Sequence, residues 1–315
     1  MPDKSIRIRN ASRQGGRRPV MLAIAGDSAS GKSTVTAGLV EALGPDRCVS
    51  ISTDDYHRFD RFERAQKPFT ALHPSCNYID ILSQHLQLLA TGQPILKPVY
   101  DHATGRLIRP QLVEPNEFII VEGLLPLHSK LARACFDVNV FLDPSEEVRR
   151  DWKIKRDTAT RGYTAAQVLA VLADRDDESA AFIRPQRAHA DIVVQFAPID
   201  GRDDPPDIPM SVSLLLRPTI QQPDLGAILQ PDVTHAMHLR LARDTDGKPV
   251  DNIHVHGYAS PEDNARVEKM IWHALGDKDI DAPERLGRIG ADVQRSTPLA
   301  VSQMLLLHHL LDGGR

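Results

Sequence analysis

Cysteine is scarce in this chain of 315 residues: Cys48, Cys76 and Cys135 are the only three. They are too few and too scattered to staple a fold with disulfides or to build a four-ligand zinc site, so each reads as a small packing residue in a reducing compartment. Long apolar runs are lacking too. No stretch of eighteen or more apolar residues occurs, so no helical membrane span is expected. The basic start, Lys4, Arg7, Arg9, Arg13, Arg17 and Arg18, is not followed by the apolar segment and small-residue cleavage site of an export signal, which points to the cytoplasm. A strong excess of one charge is also missing. The formal net charge of −4 offers no broad attraction to nucleic acid or to an anionic membrane, so any anion-binding surface must be local.

What is present alternates between buried strands and helices. Apolar runs at 21–26, 48–52, 118–121, 138–142 and 192–196 are separated by helical patterns at 33–43, 78–90, 144–158 and 164–181. This predicts an α/β fold with a mainly parallel sheet and helices on both faces. Residues 1–19 read as a solvated basic tail and 20–198 as the main domain. The Pro-, Gly- and Asp-rich stretch 199–209 reads as a linker. Beyond it, strand-like segments 210–217, 236–242 and 252–257, a helix opened by Ser260-Pro261-Glu262 and a last helix at 298–311 predict a smaller α+β domain, with a role in dimerisation or regulation.

Gly26-Asp27-Ser28-Ala29-Ser30-Gly31-Lys32-Ser33, continued by Thr34, has the G-x-x-x-x-G-K-[ST] spacing of a nucleotide phosphate loop and lies between a strand and a helix start. Its glycines let successive N–H groups turn toward phosphate. The helix N-terminus adds positive potential, Lys32 reaches the β/γ-phosphates and Ser33 ligates Mg²⁺. ATP with Mg²⁺ is the expected nucleotide. Phe118-Ile-Ile-Val-Glu122 is an apolar strand ending in a carboxylate, the form of the second nucleotide motif, which makes Glu122 a candidate metal residue.

The acceptor must be sought at the same sheet edge. Asp54, Asp55, Tyr56, His57 and Arg61 follow the strand 48–52, and a carboxylate there can take the proton of an attacking hydroxyl. Asp54 is the candidate base and Asp55 competes with it. His57 and Arg61, four apart, would share a face beside the base. In the helix after the fourth strand, Lys153, Arg156 and Asp157, then Arg161 and Gly162, have the spacing of a cationic lid that closes over the triphosphate and excludes water.

Together, Gly26-Asp-Ser-x-x-Gly-Lys-Ser, the segment 54–61, Thr70-Ala-Leu-His-Pro, Lys97-Pro-Val-Tyr-Asp-His-x-Thr-Gly, Val121-Glu-Gly-Leu, Trp152-Lys-Ile-Lys-Arg-Asp, Arg161-Gly-Tyr and Arg184-Pro-Gln-Arg187 run in order from about residue 21 to 197. The set resembles the phosphoribulokinases of the phosphoribulokinase/uridine kinase family of P-loop kinases. The resemblance implies ATP-dependent phosphorylation of the 1-hydroxyl of ribulose 5-phosphate, giving the ribulose 1,5-bisphosphate that Rubisco consumes in the Calvin cycle. It implies that Asp54 is the base, that His57 and Arg61 contact the sugar phosphate, and that Lys153, Arg156, Asp157 and Arg161 assist transfer or bind the sugar phosphate. It further implies that Tyr100 and His102 line the acceptor site and that Arg184 and Arg187 approach the nucleotide. Plant and cyanobacterial members carry regulatory cysteines where this chain has Ser30 and Ser52, so thioredoxin control is not expected. His256-Gly257, Ser260-Pro261-Glu262 and Thr297-Pro298-Leu299-Ala300 are similar to archaeal and some bacterial forms, which implies a homodimer formed through sheet edges.

Two other functional readings compete. A uridine-kinase-like enzyme would share the fold and loop but accept a neutral nucleoside, which the arginine at 61 and the doubled lid cations disfavour. A nucleotide-binding regulator without catalysis would not need Lys32, Ser33, Asp54 and Glu122 together. His235, His238, His254 and His256 raise the idea of a zinc site, but no Cys or Glu stands at ligand spacing, so core or interface packing is the expected role.

Overall fold

The computed structural model describes residues 18–199, 201–202, 209–226, 228–230, 234–275, 286–289 and 295–312. Most of the expected basic tail and of the linker 199–209 lies outside them. The elements are β1 (Val20–Gly26), α1 (Lys32–Leu43), β2 (Cys48–Ser52), α2 (Arg61–Arg64), α3 (Ile79–Ala90), β3 (Ile95–Asp101), β4 (Arg106–Val113), β5 (Phe118–Gly123) and α4 (Lys130–Arg133). They continue with β6 (Val138–Leu142), α5 (Glu146–Arg161), α6 (Ala165–Asp174), α7 (Asp176–Glu178), β7 (Ile192–Ala197), β8 (Ser211–Leu216), β9 (Met237–Arg243), β10 (Pro249–Val255), α8 (Pro261–Ala274) and α9 (Thr297–Asp312). No described helix is long and apolar enough to cross a membrane.

Eight strands form one sheet in the order β2-β5-β1-β6-β7-β8-β10-β9, of which the first five run parallel. The central strands β1 and β5 read as continuous apolar runs because both faces are covered. Val20, Leu22 and Ile24 of β1 enter one core beneath α1, α8 and α9, while Met21, Ala23 and Ala25 enter the other beneath α3. Burying each such leucine or isoleucine contributes about 1.5–3 kcal/mol relative to exposure. The chain leaves β1 for β2 on one side and crosses from β5 to β6 on the other. The C-terminal end of β1 is therefore the topological switch point, where ligands of open α/β sheets bind.

The domain boundary expected at 199–209 does not divide the sheet. β8 pairs antiparallel with β7 from Ile192↔Leu216 to Ala197↔Ser211, and β10 and β9 extend the same sheet outward. Ser211–Leu216 is at least as buried as β7, and its backbone is satisfied by pairing with β7 on one edge and β10 on the other. The last helix is likewise built into the parallel half of the sheet. Gln303 of α9, 1% exposed, donates from Nε2 to the carbonyls of Thr34 (3.2 Å) and Val35 (3.3 Å) in the first turn of α1. Its Oε1 accepts from Gly287 N at 2.8 Å. Any Cβ on Gly38 would stand 2.1 Å from Gln303 Nε2, so α1 and α9 can approach this closely only with glycine there.

Two local readings change. The hairpin of β3 and β4 was not legible as strands, because β4 is exposed along most of its length and Pro98 and Pro110 interrupt the pattern. The helix expected over 164–181 breaks at Arg175 and passes through α7 into a wider π turn at Ser179–Ile183, ahead of Pro185.

Candidate active site

β1 delivers the chain to a loop whose backbone turns left-handed at Ala29 (φ 65°) and Gly31 (φ 93°) before α1 begins. No side chain caps α1 and no acid lies in its first turn. Its first N–H groups and the positive end of its dipole are thus left for an anion. Lys32 folds back over the loop, with Nζ donating to the carbonyls of Gly26 (2.9 Å) and Asp27 (2.7 Å). Burial pushes its pKa down, against the pull of Glu122, Asp54 and Asp27. The loop lines a cleft of ≈ 1970 Å³ from Ser28 to Val35.

Asp54, Asp55, His57 and Glu122 line the same cleft. Ser52 of β2 stands opposite Glu122 of β5 in register, and the next residues form a 3₁₀ turn over Thr53–Tyr56, capped by Ser52 Oγ accepting from Asp54 N at 3.3 Å. Gly123 allows this crossing, since a Cβ there would lie 1.9 Å from Thr53 Oγ1. The turn separates the two aspartates. Asp55 is consumed by structure: it pairs with the buried Lys97 of β3 and accepts from Tyr100 N at 3.0 Å. Asp54 Oδ1, by contrast, is buried without a hydrogen-bond partner. Burial raises the pKa of Glu122, as does the Asp54 charge, while Lys32 opposes both.

The half of the cleft away from the phosphate loop is built by α2, the hairpin and α6. Asn77 Nδ2 donates to the carbonyls of Ala71 and His73, both at 3.0 Å, so its Oδ1 is an acceptor and His57 Nδ1, 2.7 Å away, is the donor. Burial lowers the His57 pKa, the Asp54 charge notwithstanding, so a neutral ring presents a bare Nε2. Tyr100 packs edge-on between His57 and His102, with both centroid separations 5.0 Å. Arg61 reaches the His102 carbonyl at 2.6 Å. Arg64 and Arg175, neither singled out from sequence, also line this half. Arg64 could have been found by its three-residue spacing from Arg61, whereas Arg175, at the broken helix end, carries no motif signal.

α5 lies over the phosphate loop. Lys153, 2% exposed, donates to Ser28 Oγ (3.3 Å) and pairs with Asp157 (3.2 Å). Arg149, also absent from the sequence reading, sits 3.5 Å from Asp27. Asp157 gathers Lys153, Arg156 (2.8 Å) and Arg161 (3.5 Å), and these cations outweigh burial to hold its pKa down. It therefore organises the cations of α5, and Arg156 Nη2 is left buried without a partner.

Arg184 and Arg187 are not brought to this cleft. Arg184 pairs with Asp176 at the surface, and Arg187 ties Asp143 (2.8 Å) to Asp244 (2.7 Å) across the sheet extension. Two carboxylates at hydrogen-bond distance occupy Arg187, which accounts for its position apart from the nucleotide end. Among the described residues no group of three or more His, Cys, Asp or Glu is arranged to hold a metal ion. His238 of β9, His254 of β10 and His256 just after it instead crowd together, with His238 Nδ1 and His256 Nε2 at 3.1 Å and Ser213 bonded to His254 at 3.0 Å.

Comparison with known proteins agrees with this geometry. The model of the phosphoribulokinase/uridine kinase family matches residues 21–201. The phosphoribulokinase of the cyanobacterium Synechocystis is 42% identical over 181 residues, covering 58% of this chain and 54% of the relative. The uridine kinase of Chloroflexus aurantiacus is 32% identical over 181 residues, covering 56% of this chain and 86% of that one. This chain thus spans about half the length of the curated phosphoribulokinases it matches. These matches lend no support to the likeness with archaeal forms expected for the second half. The fold is similar to that of a phosphoribulokinase from Rhodobacter spheroides, with a TM-score of 0.57 at 20% identity over 77% of this chain and 91% of the other. With its phosphate loop, strand-end carboxylate and acceptor turn at one sheet edge, the chain belongs to the phosphoribulokinase/uridine kinase family.

Proposed function

We propose that this chain transfers the γ-phosphoryl group of ATP to the 1-hydroxyl of D-ribulose 5-phosphate, giving ribulose 1,5-bisphosphate and ADP. The observation that carries the reading is the buried, unpartnered Oδ1 of Asp54, beside the phosphate loop and facing an acceptor half walled by Arg61, Arg64, Arg156, Arg161 and Arg175. A carboxylate so placed accepts the hydroxyl proton as the new O–P bond forms, and the arginines suit an acceptor that is itself phosphorylated. His57 Nε2 and the Tyr100 wall orient the sugar, while the α5 cations and Lys32 meet charge that develops on the transferring group. The higher identity to a phosphoribulokinase than to a uridine kinase supports the same choice of acceptor.

The donor set fits Mg²⁺: the Ser33 hydroxyl and Glu122 carboxylate are hard oxygens at the mouth of the loop, and Mg²⁺ takes one or two such side chains with phosphate and water making up the rest. When bound, the cation neutralises phosphate charge. The cytoplasmic location expected from the sequence goes with this reading.

Lys153 gives the reaction an alkaline limit. Burial drops its pKa to about 8, against the pull of Asp157. As pH rises through about 8 the ammonium beside Ser28 is lost, so kcat is expected to fall with a midpoint near 8. Lys153→Arg, which stays charged, should move that fall upward. Stability has the opposite sign: the unfolded lysine keeps its proton to about 10.5, so the cost of burying the charge is full below 8 and fades between the two values. A pH–rate profile flat through this range would contradict the assignment.

A homodimer is part of the proposal. β9 is a sheet edge, bonded to β10 alone among the described residues, and it exposes Leu239 (43%) and Leu241 (84%). Such an edge templates pairing with a second strand. Sedimentation should show a dimer that Leu241→Lys weakens, and a wild-type monomer at all concentrations would refute it.

A further inference from the structure

Glu178 and Ser179, neighbours in the chain, hold two different loops of the site. Glu178 accepts from Thr70 N, at 2.9 and 3.1 Å from its two oxygens, and from Thr70 Oγ1. Ser179, 2% exposed, donates from Oγ to Asp27 Oδ2 at 2.5 Å. Thr70 lines the cleft between Phe69 and Ala71, whereas Asp27 belongs to the phosphate loop. Glu178 closes α7 and Ser179 opens the π turn Ser179–Ile183. Successive helical residues point about 100° apart, so one short stretch can reach both loops.

Both grips are extended by neighbours. Asp27 Oδ1 accepts from Ser28 N at 2.6 Å and the carboxylate faces Arg149 at 3.5 Å, so this side chain fixes the start of the loop whose amides meet phosphate. The Phe182 ring stands edge-on to His73 with centroids 4.7 Å apart, and His73 stacks on Phe69 at 5.1 Å. Thr70 Oγ1 in turn accepts from Leu72 N at 3.2 Å. The base of the segment is anchored. Ile183 is fully buried, and Gln186, 2% exposed, accepts from Leu127 N at 2.9 Å and donates to the carbonyls of Leu124 (2.7 Å) and Phe182 (3.0 Å). Leu124 directly follows β5, the strand that carries Glu122. A segment anchored at its base and bonded to two loops at its tip transmits a shift of one loop to the other.

We infer that Glu178 and Ser179 are positioning residues that couple the two substrate sites. Nucleotide seated on the phosphate loop holds Asp27 in place and, through Ser179 and Glu178, orders the 69–73 loop for the acceptor. The inference rests on the proposed function for which sugar binds there, and adds that either substrate favours binding of the other. Ordering a loop costs conformational entropy, and the second substrate meets a loop already ordered. Coupling of this kind is reciprocal, so the sugar tightens the nucleotide by the factor with which the nucleotide tightens the sugar.

The test uses the full chain with Mg²⁺, a non-hydrolysable ATP analogue and ribulose 5-phosphate. In calorimetry, saturating sugar should tighten wild-type binding of the analogue about fivefold or more. In Ser179→Ala and in Glu178→Ala that factor should fall below about twofold, while affinity for the analogue alone stays within about twofold of the wild type. The double variant should lose no more coupling than either single one, because the two bonds act in series. A merely structural role would instead weaken binding of each substrate alone and leave the factor in place, which would overturn the inference. Hydrogen exchange reads the same link without the sugar: the analogue should slow exchange of the 69–73 amides in the wild type and not in Ser179→Ala. That result without binding of ribulose 5-phosphate keeps the coupling and discards the proposed acceptor. An analogue that leaves the 69–73 amides unchanged in the wild type overturns the inference, as does full coupling in Ser179→Ala. Should Ser179→Ala fail to fold, both measurements are read from Glu178→Ala, at a partly exposed position.

Discussion

Asp54→Ala is expected to lower kcat by about 10²- to 10⁴-fold, the usual worth of a positioned general base, with little change in thermal stability. The neighbouring Asp55→Ala should do the reverse. Asp54 Oδ1 is buried and unpartnered in the cleft, so its removal breaks no internal bond. Asp55 holds Lys97, whose side chain is only 6% exposed, and the Tyr100 amide, so its loss strands a buried ammonium and frees the hairpin. Breaking a buried ion pair from one side costs about 3–5 kcal/mol, read as a drop in thermal midpoint. Stopped-time assays of ADP release beside melting curves of both variants check the pair. Near-normal turnover in Asp54→Ala would remove Asp54 as the base. Catalytic loss in Asp55→Ala without loss of stability would transfer the role to it.

Deleting residues 296–315 is expected to unfold the kinase half along with the C-terminal part, abolishing nucleotide binding. α9 fills one of the two cores with Leu299, Val301, Leu305, Leu306, Leu307 and Leu310, all 5% exposed or less, against residues of β1 and α1. Gln303 also holds the first turn of the helix that follows the phosphate loop. A milder version, Leu306→Ala, should cost about 2–5 kcal/mol by leaving a cavity. Denaturant unfolding should then show a single transition that shifts as a whole. A truncated chain that melts normally and binds ATP would show the C-terminal part to be a detachable domain after all.

The parallel half of the fold was legible because its central strands, β1 and β5, are buried on both faces and so appear as nearly unbroken apolar runs, and the phosphate loop was legible because its spacing is dictated by phosphate geometry. The joining of β8, β10 and β9 to the same sheet was not legible. The Pro- and Asp-rich stretch before Ser211 looks like a domain linker, and strand pairing across it depends on which faces remain uncovered, which one-dimensional patterning does not record. The same limit applies within the site. Asp54 and Asp55 are equivalent in sequence and were separated only by the 3₁₀ turn that points one at Lys97 and the other into the cleft. The role of Asp157 changes likewise, because its three cationic partners converge only on the folded helix. Arg187 carried a motif but sits between Asp143 and Asp244, whereas Arg175 carried none and lines the cleft.

The identity of the phosphoryl acceptor is decided by measuring ADP release from ATP and Mg²⁺ with ribulose 5-phosphate against uridine. Rapid, saturable release with ribulose 5-phosphate, formation of the 1,5-bisphosphate and negligible turnover of uridine are expected. Preference for uridine, or ATP binding with no transfer to any pentose phosphate, would contradict it.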